Sequence, residues 1–218
     1  APIPRPAWTF GTYTGAMSSR SALKKPKDAY HHGDLRNALL SVARRELDAG
    51  AYEQLSLREL ARLAGVSANA PYRHFTSKDE ILAEVAAQGF RELSARMDAE
   101  RHPEPKERLA RLCDVYTTFA SDHPAVYRTM FGAEKQALMD FPVLQEAAGA
   151  SFGRLVAATI AAYGSGQPDE LETLARASAL WSLVHGWSRL VIDGVTCFLP
   201  EGSIAPASVA AKAIIQSW

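Results

Sequence analysis

Helical periodicity along nearly the whole chain predicts an all-α protein: an N-terminal three-helix, helix-turn-helix domain followed by a helical C-terminal half. Three observations carry that expectation. Apolar residues recur three and four positions apart almost everywhere after Gly33. Alternating apolar and polar runs, the mark of a half-buried strand, are nearly absent. Two Ser-x-x-Glu capping boxes, at Ser56–Glu59 and Ser77–Glu80, open helices on either side of a glycine-containing turn.

The first apolar stripe is Leu35, Leu39, Val42, Ala43 and Leu47, with Asp34 as its expected N-cap and Gly50 as its stop. Ser56 should accept from the Glu59 backbone N–H while the Glu59 carboxylate reaches back, starting a second helix that runs to Ala64. Gly65-Val66 supplies the turn, and Ser67 is placed to cap a short third helix through Phe75. Ser77 opens a longer helix whose face is Ile81, Leu82, Val85, Ala86, Phe90, Leu93 and Met97. His102-Pro103-Glu104-Pro105 reads as a linker. Beyond it, helices are expected over 108–122, 123–132, 143–163, 170–192 and 207–217, with Gly164-Ser165-Gly166-Gln167-Pro168 separating the two longest.

Composition narrows the class of function. At 218 residues, with 47% hydrophobic and 22% charged, the chain can bury a sizeable core as one large domain or two small ones. The most apolar stretch, 180–191, is broken by His185, Gly186 and Arg189 and falls short of the roughly 20 residues a span needs, so no membrane partner is expected. Residues 1–16 lack the basic start and apolar run of a secretory signal and read as an upstream extension, with Trp8, Phe10 and Tyr13 unexplained. Cys113 and Cys197 sit in separate apolar, helix-like contexts, which suits inert thiols in a reducing cytoplasm. The histidines, His31-His32 included, lack metal-ligand spacing with acidic or cysteine partners, so neither a metal nor a cofactor is expected.

Net charge is zero, but its distribution is uneven. Between residues 17 and 45, Arg20, Lys24, Lys25, Lys27, Arg36, Arg44 and Arg45 face only Asp28 and Asp34, an excess of five positive charges. Such a front end suits phosphate neutralisation by an arm and a first helix, and equally a solvated lysine tail.

Two short helices joined by a glycine turn, the second rich in side chains that reach bases or phosphates, suit a DNA major groove. The run Leu60-Ala61-Arg62-Leu63-Ala64-Gly65-Val66-Ser67, then Tyr72-Arg73-His74-Phe75 and Ser77-Lys78-Asp79-Glu80-Ile81-Leu82, resembles the DNA-binding domain of the TetR/AcrR family of bacterial regulators. The resemblance covers about 33–93. It implies that Ser56 and Arg58 start the helix crossing the DNA backbone, that Ala68, Asn69, Ala70, Tyr72, Arg73 and His74 lie on or beside the recognition helix, and that Lys78 contacts phosphate. By chemistry, Asn69 and Arg73 suit base edges, Ser56, Tyr72 and Lys78 suit phosphate oxygens, and Ala70 offers apolar contact with a thymine methyl. Phe75 reads as core. Pro71 departs from the family pattern; lacking an N–H, it fits a first helical turn and can delay the helix by one or two residues, leaving Ala68 and Asn69 in a preceding turn.

The same resemblance implies a double-stranded DNA operator, a homodimer built from the last two long helices, and a small-molecule effector held by the C-terminal half. The domains expected are a basic or disordered arm at 1–32, the DNA-binding domain at 33–93 and an effector-binding and dimerisation domain at 104–218. Trp181-Ser182-Leu183-Val184-His185-Gly186-Trp187 resembles the tryptophan-histidine-glycine signature of one C-terminal subgroup. Trp181 and His185 share a helix face, and Gly186 would let a neighbouring helix approach. Tyr116, Phe119, Tyr127, Met130, Phe131, Phe152 and Trp181 are candidates to line an effector pocket, being flat or polarisable, although such a stripe also suits plain core. The family reading is a cytoplasmic transcriptional repressor. The alternative is an all-helical enzyme or binding protein acting on an apolar small molecule, against which stands the lack of any recognisable nucleophile, base and orienting partner.

Overall fold

The computed structural model describes residues 32–132, 138, 140–163, 170–198 and 206–218. The expected arm with its lysines, His31 and the 164–168 linker lie outside the described residues, as does the side chain of Cys197. Among the described residues there is no strand, and no helix is long and apolar enough to cross a membrane.

The helices with described bounds are α1 (His32–Asp48), α2 (Leu57–Ala64), α3 (Lys78–Ala99), α4 (Pro105–Asp122), α5 (Pro124–Phe131), α6 (Pro142–Tyr163), α7 (Glu170–Ile192) and α8 (Ala207–Ser217), with 3-10 turns at Pro71–Arg73 and Val195–Phe198. Two starts differ from expectation. Helix α1 opens at His32, so Asp34 is inside the helix rather than capping it. Helix α4 opens at Pro105, within the expected linker, because proline at a first helical position forfeits only an amide that would lack a partner anyway. Far along the chain, the Asp114 carboxylate of α4 accepts the Ser208 N–H at 2.8 Å, supplying the N-terminal cap that α8's own Pro206 cannot.

Helix α3 organises the core. Its buried face, Ile81, Leu82, Val85, Phe90, Leu93 and Met97 among others, packs on α1 at one end and on α5 and α6 further along. Helix α4 in turn lies against α6, α7 and α8. The close approach of α3 and α5 depends on Gly89, where an added Cβ would stand 2.6 Å from Met130 Sδ and 2.7 Å from Val126 Cγ1. Phe75 and Leu60 are 1% exposed and Leu39 is fully buried, so the short N-terminal elements share this core.

Candidate nucleic-acid interface

The site is built from the α2 cap outward. Ser56 Oγ accepts the Glu59 N–H at 3.2 Å, as the capping box requires. The Glu59 carboxylate does not reach back, however. It takes Arg62 Nε at 2.9 Å and a second Arg62 nitrogen at 2.5 Å, a two-point charged partner one turn along that outcompetes a single backbone amide. The Arg62 hydrogen bond holds the Glu59 carboxyl below its usual range, with a smaller opposing effect of burial.

Gly65 ends α2 in the left-handed conformation, φ 71° and ψ 29°. Its N–H reaches the Arg62 carbonyl at 3.2 Å and the Val66 N–H reaches the Ala61 carbonyl at 3.0 Å, a Schellman closure that reverses the chain. Leu57, Leu60 and Ala61 fix the helix from below.

Beyond this reversal the chain does not form the α-helix expected from Ser67 to Phe75. Residues 67–70 form turns, the Ala70 N–H bonding the Ser67 carbonyl at 2.9 Å, and only Pro71–Arg73 is helical, as a 3-10 turn. Ala70 occupies the cap position with no side-chain cap, so Ser67 does not play that part. The cause is Pro71: without an N–H it cannot give Ser67 the α-helical bond, and the tighter Ala70 bond takes that carbonyl. Pro71 and Phe75 are buried and anchor the turn. Between them Tyr72, 51% exposed, and Arg73 project into solvent.

Ser56, Arg58, Ala68, Asn69, Tyr72 and Arg73 are all exposed, while Ala70, His74 and Lys78 are half-buried. His74 Nε2 is enclosed and makes no hydrogen bond. Lys78 Nζ donates to the Tyr52 carbonyl at 2.8 Å and sits 4.3 Å from the centre of the Tyr52 ring. Tyr52 thus joins the site, although nothing in the motif flagged an aromatic that far upstream.

The positive front end is also altered. Arg36 pairs with Glu84 and lies 5.2 Å from the Phe75 ring centre, Arg44 pairs with Glu92 at 2.9 Å, and Arg45 approaches Glu46 at 3.4 Å. The α1 arginines are therefore largely compensated, two of them by α3 carboxylates that a count along the sequence cannot see.

The C-terminal half contains a cavity of about 270 Å³ among α3, α4, α5, α6 and α7. Of the seven candidate lining residues, Tyr116, Phe131, Phe152 and Trp181 line it. Phe119, Tyr127 and Met130 do not line it and are fully buried packing residues. Phe90, Leu93 and Met97 complete the wall from α3; they lay on a stripe already legible as buried, with nothing to mark one part of it as facing a space. Behind the wall, Tyr127 Oη lies 2.8 Å from His185 Nδ1, and Tyr116 Oη lies 3.2 Å from each of them. Burial pushes both tyrosines above their ordinary pKa, so their hydroxyls are neutral donors and acceptors. Burial pushes the Cys113 thiol up to about 12, and Asp114 adds to it. Trp181 and His185 do share a face, their rings 6.1 Å apart, but a Cβ at Gly186 would meet nothing within 4 Å, so no helix of the described chain uses the approach that glycine offers. Among the described residues no group of three or more His, Cys, Asp or Glu could hold a metal ion.

Comparison with known proteins agrees with this architecture. Residues 39–85 match the model described as bacterial regulatory proteins, tetR family, and residues 109–207 match the tetracyclin repressor-like C-terminal domain, together well over half of the chain. No curated protein matches. Among solved structures, a protein of unknown function from Rhodococcus sp. RHA1 is 29% identical, with 88% of this chain and 96% of that chain covered and a TM-score of 0.70. The TetR family regulator PfmR from Thermus thermophilus is 22% identical, with 82% and 94% covered and a TM-score of 0.54. A TetR family regulator from Marinobacter aquaeolei is 17% identical, with 84% and 94% covered and a TM-score of 0.59; at such identities these two show a shared fold. The chain belongs to the tetR family of bacterial regulatory proteins and is a DNA-binding transcriptional regulator rather than an enzyme.

Proposed function

We propose that the protein is a cytoplasmic repressor that binds a palindromic operator as a homodimer and leaves it when a small molecule occupies the C-terminal cavity. The observation that carries this reading is the exposed Tyr72-Arg73 pair, held on a turn between buried Pro71 and Phe75 just after the Gly65 reversal. Residues 33–93 act as the DNA-binding domain and 104–218 as the effector and dimer domain. Arg73 and Asn69 read base edges, Ala70 meets a thymine methyl, Ser56, Tyr72 and Lys78 hold phosphates, and Arg58, Ala68 and His74 flank them.

The outer faces of α6 and α7 support pairing. Gly149, Gly153, Ala157 and Ile160 on one, and Gly186 and Leu190 on the other, are exposed, uncharged and mostly small, so two copies could pack closely. Such a pair would set its recognition turns about 34–36 Å apart in successive major grooves. An effector that favours a different spacing needs only about 2.7 kcal/mol of coupling to weaken binding a hundredfold. The shared face and ring contact of Trp181 and His185 support placing the C-terminal half in the tryptophan-histidine-glycine subgroup.

A mobility-shift assay with DNA from upstream of the gene tests the reading. Salt-sensitive, sequence-selective retention is expected, in a complex containing two protomers; retention that ignores sequence, or none, overturns it.

A further inference from the structure

Resting on the reading of the C-terminal cavity as the effector site, we propose that it takes a neutral, largely hydrocarbon molecule of one or two fused rings whose single polar atom meets Ser151. The walls decide the charge. None of the fifteen lining residues is charged; Leu93 and Met97 from α3, Leu155 from α6 and Leu180 from α7 present hydrocarbon or thioether surface. An ionised ligand entering this space surrenders its hydration and finds no counter-charge, whereas a hydrocarbon surrenders little.

Volume sets the size. A cavity of roughly 150 Å³ lined by such side chains stays dry and accepts benzene. At about 270 Å³ this one has room for a second ring. The aromatic walls suit a cyclic occupant: Phe152 and Trp181 are tilted at 59° with centres 5.7 Å apart, and Phe90 and Phe131 meet edge-on at 5.2 Å, so ring faces and edges are both presented rather than consumed in parallel stacks.

The polar anchor is reached by elimination within the lining, where the Trp181 indole N–H is already engaged with the Tyr116 hydroxyl. Tyr116 contributes a wall, but its hydroxyl is engaged with Tyr127 and His185 behind that wall. The Cys113 thiol points its weak donor at the Leu109 carbonyl, 3.7 Å away. Ser151 is 5% exposed, lines the cavity and makes no hydrogen bond among the described residues. A hydroxyl or carbonyl oxygen on the ligand would satisfy it.

The test uses the full chain without DNA and three probes on one skeleton, naphthalene, 2-naphthol and the anion 2-naphthoate, with binding measured by isothermal titration calorimetry at neutral pH. Naphthalene and 2-naphthol should each bind one per protomer, 2-naphthol about tenfold more tightly through its one extra hydrogen bond. 2-Naphthoate should bind about a hundredfold more weakly than 2-naphthol. Ser151→Ala should erase the preference for 2-naphthol while leaving naphthalene binding unchanged, which also reports that the variant is folded. Ser151→Thr, which keeps the hydroxyl, should retain the preference, and Val184→Phe, which fills the space, should abolish binding of all three. Equal or tighter binding of 2-naphthoate, no saturable heat with either neutral probe, or an undiminished 2-naphthol preference in Ser151→Ala would overturn the proposal. Operator release is scored separately: probes that bind as expected yet leave a DNA complex intact count against the effector reading and not against this ligand class.

Discussion

Arg73 is the charged side chain of the Pro71–Arg73 turn. It stands in solvent on a turn whose two flanking residues, Pro71 and Phe75, are buried, so its removal leaves the supporting structure in place. Arg73→Ala should weaken operator binding by about 1–3 kcal/mol and relax selectivity at one base pair per half-site, with helicity and dimer mass unchanged by circular dichroism and light scattering. Lys78 differs because its ammonium is tied to the Tyr52 carbonyl and ring. Lys78→Ala should therefore lower thermal stability as well as affinity, the ring contact alone being worth about 0.5–1 kcal/mol. Cys113 is 2% exposed and its thiol is pushed up to about 12, so in a Cys197→Ser background it should resist a thiol-disulfide reagent in the native protein and react only on unfolding. Labelling at the rate of an open thiol would contradict its placement. At this scale the sequence displayed residue chemistry but not residue partners: Arg73 could be named in advance, whereas the binding of Lys78 to Tyr52 and the forward turn of Glu59 onto Arg62 required coordinates.

The helices were legible wherever local chemistry set their ends. Ser56 and Ser77 cap α2 and α3 through Glu59 and Glu80, and Gly65 closes α2, all as side-chain type and spacing dictate. The segment from Ser67 to Phe75 was only half legible. Pro71 announced a disturbance, but whether the chain would resume an α-helix after it or close in a single 3-10 turn depended on Pro71 and Phe75 both being drawn into the core, a tertiary demand. Two glycines give the test at this scale. Gly65→Ala forces a side chain into φ 71° and should cost about 1–2 kcal/mol by denaturant unfolding, although open space surrounds the site. Gly89→Ala meets no backbone penalty but brings its methyl against Val126 and Met130. Met130 can swing its thioether aside and the β-branched Val126 cannot, so a loss of about 1–3 kcal/mol is expected. A fully stable Gly89→Ala protein would mean that α3 and α5 are less closely packed.

Across the molecule, the N-terminal helices and the C-terminal half are joined by charge as well as by apolar packing. Glu92 on α3 accepts from Arg44 of α1 at 2.9 Å and Arg96 of its own helix at 3.2 Å, and lies 3.0 Å from His123 at the α4–α5 corner. Arg96 also bonds Asp122 at 2.7 Å. Burial alone would raise the Glu92 carboxyl, but the Arg44 hydrogen bond and the surrounding positive charge outweigh it and hold the group below the ordinary glutamate value. A carboxylate depressed by folding stabilises the native state above its unfolded pKa and loses that contribution as pH falls through the depressed folded value. Glu92→Gln should thus cost about 1 kcal/mol at neutral pH, a modest figure because the pair is half open to water, and the difference from wild type should close on acidification below the ordinary glutamate range. A gap that persisted there would assign the loss to packing. None of this network was visible in the sequence, where the α1 arginines looked like uncompensated charge because the opposing carboxylates lie 48 residues downstream.

Methylation interference on the operator probes the seating of the 67–73 turn in the major groove, because dimethyl sulfate modifies guanine N7 where a bidentate arginine would bind. Methylation of a guanine in each half-site, the two about one helical turn apart, should block the wild-type dimer, and Arg73→Ala should lose that sensitivity at the same guanines. Binding indifferent to major-groove methylation, or an interference pattern identical in Arg73→Ala, would contradict the assignment of this turn as the reader of DNA sequence.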